Sequence, residues 1–217
     1  MEKRYNSFVG YFKEKYGCRL QKIVVDAGFT CPNRDGSKGL GGCTFCNNDA
    51  FHPNYSTPDK PVRQQLDEGI EFHLNRYRTT ENYLAYFQSY SNTYAPLEHL
   101  KGLYAQALEH PKVKGIVIGT RPDCIDEEIM SLIYEIHLIK PVFIELGLQT
   151  TKEASYKYIR RGYDNFIFEN AIKLIKKYND KINTKENHIH IIVHTIIGLP
   201  GETYEDMINT IRYVNNF

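Results

Sequence analysis

The sequence has no tryptophan, and it has no apolar run of the roughly 18 residues that a membrane-spanning helix needs. It also has almost no net charge, because 27 Lys and Arg are balanced by 26 Asp and Glu. A general basic field for nucleic acid is therefore absent, which leaves room only for local basic patches. The N-terminal residues lead into no apolar stretch of the signal-peptide type. We therefore expect a cytoplasmic protein with no membrane partner.

Internal repeats, low-complexity tracts and Pro/Gly/Ser-rich linkers are absent as well, so no boundary divides the chain. With 41% hydrophobic residues the sequence is not that of a disordered protein, and 217 residues suit one domain with a sizeable core. We predict a single domain over residues 1–217.

Five cysteines are an odd number, and three of them, Cys31, Cys43 and Cys46, lie within a glycine-rich segment of sixteen residues. In a reducing compartment such a group indicates metal binding or catalysis and not a disulfide framework. The CxxC pair brings two thiolates to one metal centre, and the flexible loop allows the third to reach it. A [4Fe–4S] cluster with one open iron fits best. A structural zinc site with His52 as fourth ligand, and a chance grouping of buried or redox cysteines, are the alternatives.

Apolar strands alternate with amphipathic helices along the chain, which is typical of βαβ units and a parallel sheet. The pattern predicts five strands, at residues 23–25, 83–87, 115–119, 142–148 and 188–197. It predicts helices at residues 5–16, 61–77, 97–109, 126–139, 152–160, 166–178 and 203–217. Five such units fit either an open doubly wound sheet or an incomplete (β/α) barrel, and both folds place their sites at the C-terminal ends of the strands.

Those five strand ends are all polar or glycine-rich. They are Asp26 with the cysteine segment, then residues 88–92, 120–123, 149–150 and 198–201. Because the C-terminal ends of parallel strands meet at one edge of a sheet, we expect them to converge on a single cavity.

Six segments together give the sequence a family resemblance. They are DAGFTCPNRDG (26–36), GGCTFC (41–46), AYFQSYSNTYAP (85–96), GTRPD (119–123), ELGLQT (145–150) and GLPGET (198–203). In this order they resemble radical S-adenosylmethionine (SAM) proteins of the YtqA/YhcC-type subgroup. The long gap between the first two cysteines is similar to that of the Elp3-like branch.

The resemblance implies an α/β fold, an incomplete TIM-type barrel of five to six parallel strands. It also implies a [4Fe–4S] cluster held by Cys31, Cys43 and Cys46. SAM would chelate the open iron, and an electron from the reduced cluster would cleave it to methionine and a 5′-deoxyadenosyl radical that abstracts a substrate hydrogen. An electron donor such as flavodoxin or ferredoxin is implied as partner. Since such cores usually have six βα units, we expect that a sixth unit and a C-terminal region lie outside this sequence, and a naturally short chain is the alternative.

Contacts to SAM are assigned from the resemblance and from position at the strand ends. The predicted SAM-binding residues are Phe45, Gln88, Ser89, Glu145, Gln149, Arg160, His194, Gly198 and Pro200. The backbone of Phe45 would meet the adenine, Gln88 or Ser89 the amino group, and Glu145 or Gln149 the ribose. Either Arg160 or Arg161 would pair with the carboxylate. A polar loop, a solvated arginine and a packed histidine are the alternatives for these residues. Cys124 is expected to be an inert thiol, and a redox or hydrogen-donor role at the barrel mouth is its alternative.

Two stretches, 1–22 and 157–185, combine an excess of Lys and Arg with aromatic residues, a composition that suits RNA. A solvated helix face is the alternative for each. Because Elp3-like enzymes act on the wobble uridine of tRNA, we expect tRNA modification. Radical chemistry on a protein or small metabolite, or a zinc-stabilised nucleic-acid-binding module without catalysis, are the alternative functions.

Overall fold

A computed structural model describes residues 5–50, 52–76 and 80–217, and these form one parallel five-stranded sheet with helices between its strands. The strands are β1 (Gln21–Val25), β2 (Tyr83–Phe87), β3 (Val113–Thr120), β4 (Val142–Gln149) and β5 (His190–Thr195). The helices are α1 (Phe8–Tyr16), α2 (Val62–Leu74), α3 (Leu97–Leu108), α4 (Glu127–His137), α5 (Glu153–Tyr158), α6 (Asn165–Asn179) and α7 (Tyr204–Val214). The predicted alternation of strands and helices is confirmed.

The strand order is β1-β2-β3-β4-β5, so every strand pairs with the next one along the chain. A doubly wound sheet would reverse its order at a switch point, and the sequential order excludes that alternative. The sheet therefore has the architecture of part of a (β/α) barrel.

The outer face of the sheet carries the larger core. Helices α2, α3, α4 and α6 pack on it through buried side chains such as Leu66, Tyr104, Ile133 and Phe168. Successive side chains of a strand point to opposite faces of the sheet. Ile144, for example, meets the helices on the outer face, so the residues on either side of it point to the inner face.

Helix α1 covers the lower part of the inner face. Phe12 is fully buried there and packs against Leu84, Val117 and Phe143, the last with ring centroids 5.4 Å apart. Above this small apolar cluster the inner positions of the strands become polar. Thus α1 closes the bottom of the partial barrel and leaves its upper end open.

Helix boundaries follow capping residues more closely than apolar periodicity. The Asp126 side chain accepts a hydrogen bond from the backbone N–H of Ile129, as its predicted N-cap role requires. Thr203 and Asp206 form a capping box, so α7 begins at residue 204.

Residues 1–4 of the basic stretch 1–22, and Tyr77 at the end of the predicted helix 61–77, lie outside the described residues. None of the helices in the described part of the chain is long and apolar enough to cross a bilayer.

Candidate active site

A cavity of about 770 Å³ opens at the C-terminal ends of the strands, where the sequence predicts the site. Its walls bring together eight of the predicted site residues: Cys31, Cys43, Phe45, Cys46, Gln88, Glu145, Gln149 and His194. The convergence follows from the parallel sheet, because each strand delivers its C-terminal end to the same rim.

The cysteine loop, residues 26–49, follows β1 and forms one wall. The backbone N–H of Cys46 donates to the carbonyl of Cys43 at 3.0 Å, which closes the CxxC turn. Gly42 has φ of +78°, a left-handed conformation that favours glycine, and its N–H donates to the carbonyl of Asn33 at 2.8 Å. The glycines of the loop therefore fold it back so that all three thiols border one cavity.

Hydrogen-bond donors lie beside the cysteine loop, but burial works against the thiolate form of Cys43. The Asn33 side-chain amide lies 3.5 Å from Cys43 Sγ, and the Arg34 guanidinium donates to the carbonyl of Cys46 at 2.9 Å. Burial raises the pKa of the Cys43 thiol above its ordinary value, against the opposing effects of Asn33 and Arg121. Hydrogen bonds to sulfur are one of the means by which proteins tune iron–sulfur clusters.

The donor set fits the predicted cluster better than a zinc ion. Three thiols on one loop match the cysteine ligation of iron–sulfur clusters, whose separate irons take separate thiolates. In the described residues no group of three or more His, Cys, Asp or Glu side chains, the three loop thiols included, is arranged to hold a metal ion, so the preference for a cluster comes from the type of ligand and not from a preformed metal geometry. The ring of His52, the fourth ligand of the zinc alternative, instead contacts Ser89 Oγ at 2.6 Å and Asp26 Oδ2 at 3.3 Å.

The floor of the cavity is a polar cluster centred on Glu145, which is 3% exposed. Its carboxylate forms an ion pair with Lys22, accepts a hydrogen bond from the Tyr86 hydroxyl at 2.6 Å, and lies 3.0 Å from His194 Nε2. Burial by itself would raise the pKa of Glu145, but the His194 hydrogen bond and the Lys22 charge outweigh it and lower the pKa to about 2. Glu145 is therefore ionised at neutral pH.

The third strand ends in a buried arginine. Arg121 is 7% exposed and binds Asp123 through two hydrogen bonds, Nε to Oδ1 at 2.8 Å and Nη2 to Oδ2 at 2.9 Å. Lys38 of the cysteine loop also donates to Asp123, at 2.7 Å. This pairing fixes one wall of the cavity to the loop that carries the thiols.

Two buried polar atoms on the cavity wall have no partner within the described structure: Ser91 Oγ and Asn48 Nδ2. A buried polar atom without a hydrogen bond is costly, and a bound ligand is one remedy. These atoms therefore mark the cavity as the site of a polar ligand.

Four of the predicted SAM contacts do not line this cavity. Ser89 is buried and its hydroxyl contacts His52, whereas Gly198 and Pro200 are exposed at the turn after β5. Arg160 is exposed too, and it borders a second cavity of about 410 Å³ on the other side of the cysteine loop. The assignment of these four residues stays a prediction.

Sequence reasoning assigned no role to Lys22, Tyr86, Ser91 or Arg121, although Ser91 and Arg121 lie in strand ends that it placed at the cavity. Three signals were available: Lys22 and Tyr86 are polar residues inside apolar strands, and Arg121 directly follows β3. Cys124 does not line this cavity, and burial raises the pKa of its thiol to about 12. Its expected inertness stays a prediction.

Comparisons with known proteins agree with this geometry. Residues 31–214 match the family model of the radical SAM superfamily. Protein YhcC of Escherichia coli K12 is 32% identical over 99% of this chain and 65% of its own length. YtqA of Bacillus subtilis, uncharacterized, is 33% identical over 98% of the chain and 63% of its own length.

A solved structure shows the same fold. The archaeal Elp3 of Methanocaldococcus infernus superposes with a TM-score of 0.60 at 15% identity, over 90% of this chain and 42% of that one. The chain spans less than two thirds of the length of the curated relatives given above. The predicted resemblance to the YtqA/YhcC-type subgroup is confirmed, and the chain belongs to the radical SAM superfamily.

Proposed function

We propose that the protein is a radical SAM enzyme whose cluster is held by Cys31, Cys43 and Cys46. The observation that carries the proposal is that these three thiols border one cavity together with unsatisfied polar atoms. When bound, the reduced [4Fe–4S] cluster would supply the electron that splits SAM into methionine and a 5′-deoxyadenosyl radical. The protein's own part is to bind, orient and enclose these groups.

The three cysteines would ligate the cluster, and the side chain of Asn33 would donate a hydrogen bond to the Cys43 sulfur. The backbone of Phe45, inside the CxxC turn, would meet the adenine. The cavity walls would satisfy the polar ends of SAM, with Ser91 Oγ and Asn48 Nδ2 gaining the partners that they lack.

Glu145 and Gln149 are proposed for the ribose hydroxyls. Gln149 is 7% exposed, and its Oε1 lies 3.3 Å from the Tyr163 hydroxyl, which holds the amide at the cavity wall. His194 lines the cavity and also contacts the Glu145 carboxylate, so a ribose bound at Glu145 would lie next to this imidazole.

Anaerobic reconstitution with iron and sulfide tests the proposal. The wild-type protein should turn brown, bind SAM and, once reduced, release 5′-deoxyadenosine. Replacing any of Cys31, Cys43 or Cys46 with alanine should remove the colour, while Cys18→Ala and Cys124→Ala serve as controls and should keep it. A colourless wild-type protein that retains stoichiometric zinc would contradict the proposal.

A separate variant tests the SAM contacts. Glu145→Ala should leave iron content unchanged but weaken SAM binding by about tenfold to a hundredfold, the effect of losing one charge-assisted hydrogen bond. Equilibrium dialysis with labelled SAM measures it. Unchanged affinity would move the ribose contact to Gln149.

For the substrate we propose tRNA, on the strength of the relation to the Elp3-like branch. The basic stretch 157–185 offers less free charge than its composition suggests: Arg161 is buried, and Lys157, Lys173 and Lys177 form ion pairs with glutamates. This stretch would therefore contact fewer tRNA phosphates than its number of Lys and Arg residues suggests, and the affinity for tRNA would depend only modestly on salt concentration. Comparing tRNA nucleosides from cells with and without the gene tests this, and identical profiles would favour a protein or metabolite substrate.

A further inference from the structure

Arg161 is the largest fully buried side chain of the described structure, and it lies directly behind the cysteine loop. Within the described part of the chain its guanidinium forms no ion pair. It donates instead to the carbonyls of Leu148, Thr150 and Tyr163, the last two at 2.8 and 2.9 Å, and to Asn165 Oδ1 at 3.0 Å. A buried charge without a carboxylate is costly, so the position must serve some purpose beyond filling space.

Aromatic rings hold the same group from two sides. The guanidinium carbon lies 4.3 Å from the ring centroid of Tyr156 and 4.6 Å from that of Tyr163. Cation–π contacts of this kind gain strength where water is excluded. The side chain thus joins the end of β4 to the turn after α5 in a fixed geometry.

That turn, residues 159–161, presents its three consecutive carbonyl groups to the cysteine loop. The Ile159 carbonyl accepts from the backbone N–H of Thr44 at 3.0 Å, and the Arg160 carbonyl accepts from the Asn33 amide at 2.7 Å. The Arg161 carbonyl lies 4.0 Å from Cys43 Sγ and accepts from Arg121 Nη1 at 3.0 Å. The segment between Asn33 and Thr44 is therefore held against one turn.

The backbone of the turn is unusual in a way that matches this role. Arg160 has φ of +53°, which a residue other than glycine adopts at some cost, and Gly162 follows with φ of +80°. A Cβ at Gly162 would lie 3.0 Å from Asn33 Oδ1, so glycine allows the close approach of the loop. Strain of this kind persists only where the surroundings enforce it, and the contacts of Arg161 supply that enforcement.

We propose that Arg161 is a positioning residue for the cluster-binding loop: it locks the turn 159–161, and the carbonyls of that turn set the place of Cys43. The inference goes beyond the proposed function, on which it depends only for the identity of the metal group. Arg161 touches neither thiolate nor SAM in this role, and acts through the backbone of its own turn.

Alkylation of the metal-free, reduced protein tests the proposal without relying on activity. In Arg161→Gln and Arg161→Lys, we expect Cys43 to react with iodoacetamide at least tenfold faster than in the wild type, as measured by peptide mass spectrometry. Cys18, which packs beside the apolar cluster under α1, should keep its rate. Arg212→Gln, which removes an exposed arginine paired with Glu205, is the matched control and should change nothing.

A second variant approaches the same contact from the loop. Asn33→Ala removes the bond to the Arg160 carbonyl, together with the amide 3.5 Å from Cys43 Sγ, but leaves Arg161 in place, so it remains informative if Arg161→Gln does not fold. After reconstitution, both variants should bind less iron and give an altered electron paramagnetic resonance spectrum of the reduced cluster, a signature that lowered stability alone would not produce.

The proposal is overturned if the Arg161 variants and Asn33→Ala lower only the melting temperature, with wild-type alkylation rates and spectrum. It is also overturned if iron and spectrum are unchanged while SAM affinity falls, because Arg161 would then act on SAM itself. Failure of the proposed function has a different result, a wild-type protein that takes up no iron, and the alkylation rates would still decide the role of Arg161.

Discussion

Glu145 is the residue on which the polar contacts of the cavity floor converge. Lys22, Tyr86 and His194 reach it from three other strands, so one carboxylate ties four strands together below the predicted SAM site. A buried carboxylate is stable only with such partners. Its low pKa makes the stability of the fold depend on its ionisation.

Glu145→Gln is expected to destabilise the protein at neutral pH by about 1–3 kcal/mol, because the amide keeps the shape but loses the charge opposite Lys22. The folded-state pKa of about 2 lies below the ordinary value of 4.5, so the carboxylate contributes its full stability above pH 4.5 and loses it as the pH falls towards 2. Urea unfolding at a series of pH values should show that the free energies of unfolding of the wild type and Glu145→Gln become equal as the pH falls from 4.5 towards 2. A constant difference across it would contradict the assignment.

The sequence predicts which residues line the cavity, but it does not predict the backbone conformation or the strand register that brings their side chains together. Cysteine spacing and the polar strand ends placed eight site residues on one cavity, because parallel strands share an edge. The role of Arg160 depends on a left-handed backbone at that residue, which composition does not reveal. Lys22 and Tyr86 were missed since their meeting with Glu145 depends on strand register, which becomes known only when the strands are paired.

Among the elements, α2 and β1 approach each other unusually closely at Gly69. A Cβ there would lie 2.4 Å from Cγ2 of Ile23 and 2.8 Å from Cε2 of Tyr55. Alanine normally favours a helix over glycine by about 1 kcal/mol, but here the overlap dominates. Gly69→Ala should therefore lower the free energy of unfolding by about 1–3 kcal/mol.

Gly102 of α3 offers the matched control, because a Cβ there meets nothing within 4 Å. Gly102→Ala should raise the free energy of unfolding by up to about 1 kcal/mol. Urea denaturation of both variants measures the contrast, and equal effects of the two substitutions would show that helix propensity, not close packing, governs Gly69.

Helix α1 is joined to β5 by a histidine that must stay neutral. The ring of His190 contacts Tyr11, Lys15 and Tyr16 of the helix and stacks on Phe143 at 4.5 Å. Burial, followed by the charges of Lys15, His137 and His188, lowers the pKa of His190 to about 4. Protonation would place a cation beside the Lys15 ammonium group.

The unfolded chain takes up this proton near pH 6.5 and the folded chain only near pH 4, so folding loses stability as the pH falls through that interval. His190→Gln removes this titration, so the melting temperature of the variant should fall less than that of the wild type as the pH is lowered from 6.5 to 4. The two proteins differ only at this residue, so the difference between their melting-temperature curves is the quantity to measure. Parallel curves would mean that His190 does not couple α1 to pH.

At the scale of the whole molecule, the fold was more predictable than the site. Strand and helix periodicities gave the number and order of elements, since short connections between parallel strands leave few topologies. The closure of the inner face by α1 was not foreseen, because an amphipathic stripe such as that around Phe12 does not say which face of a sheet it covers.

A single core on each face of one sheet should unfold as one unit. Far-ultraviolet circular dichroism and tyrosine fluorescence, which reports on 17 tyrosines without interference from tryptophan, should give the same midpoint in urea. Both signals are recorded on metal-free protein whose thiols are reduced. Two separated midpoints would indicate that α1 and the C-terminal units unfold apart from the rest, against the prediction of one domain.

The sequential order of the strands has a consequence for synthesis on the ribosome. Each new strand finds its partner already made, so the sheet can grow in the direction of translation. Helix α1 is the exception, because Phe12 packs on Phe143, about 130 residues later in the chain. At about 5–20 residues per second, Phe12 would wait roughly 7–26 s for Phe143 to complete its surroundings, although Leu84 and Val117 are made earlier in that interval.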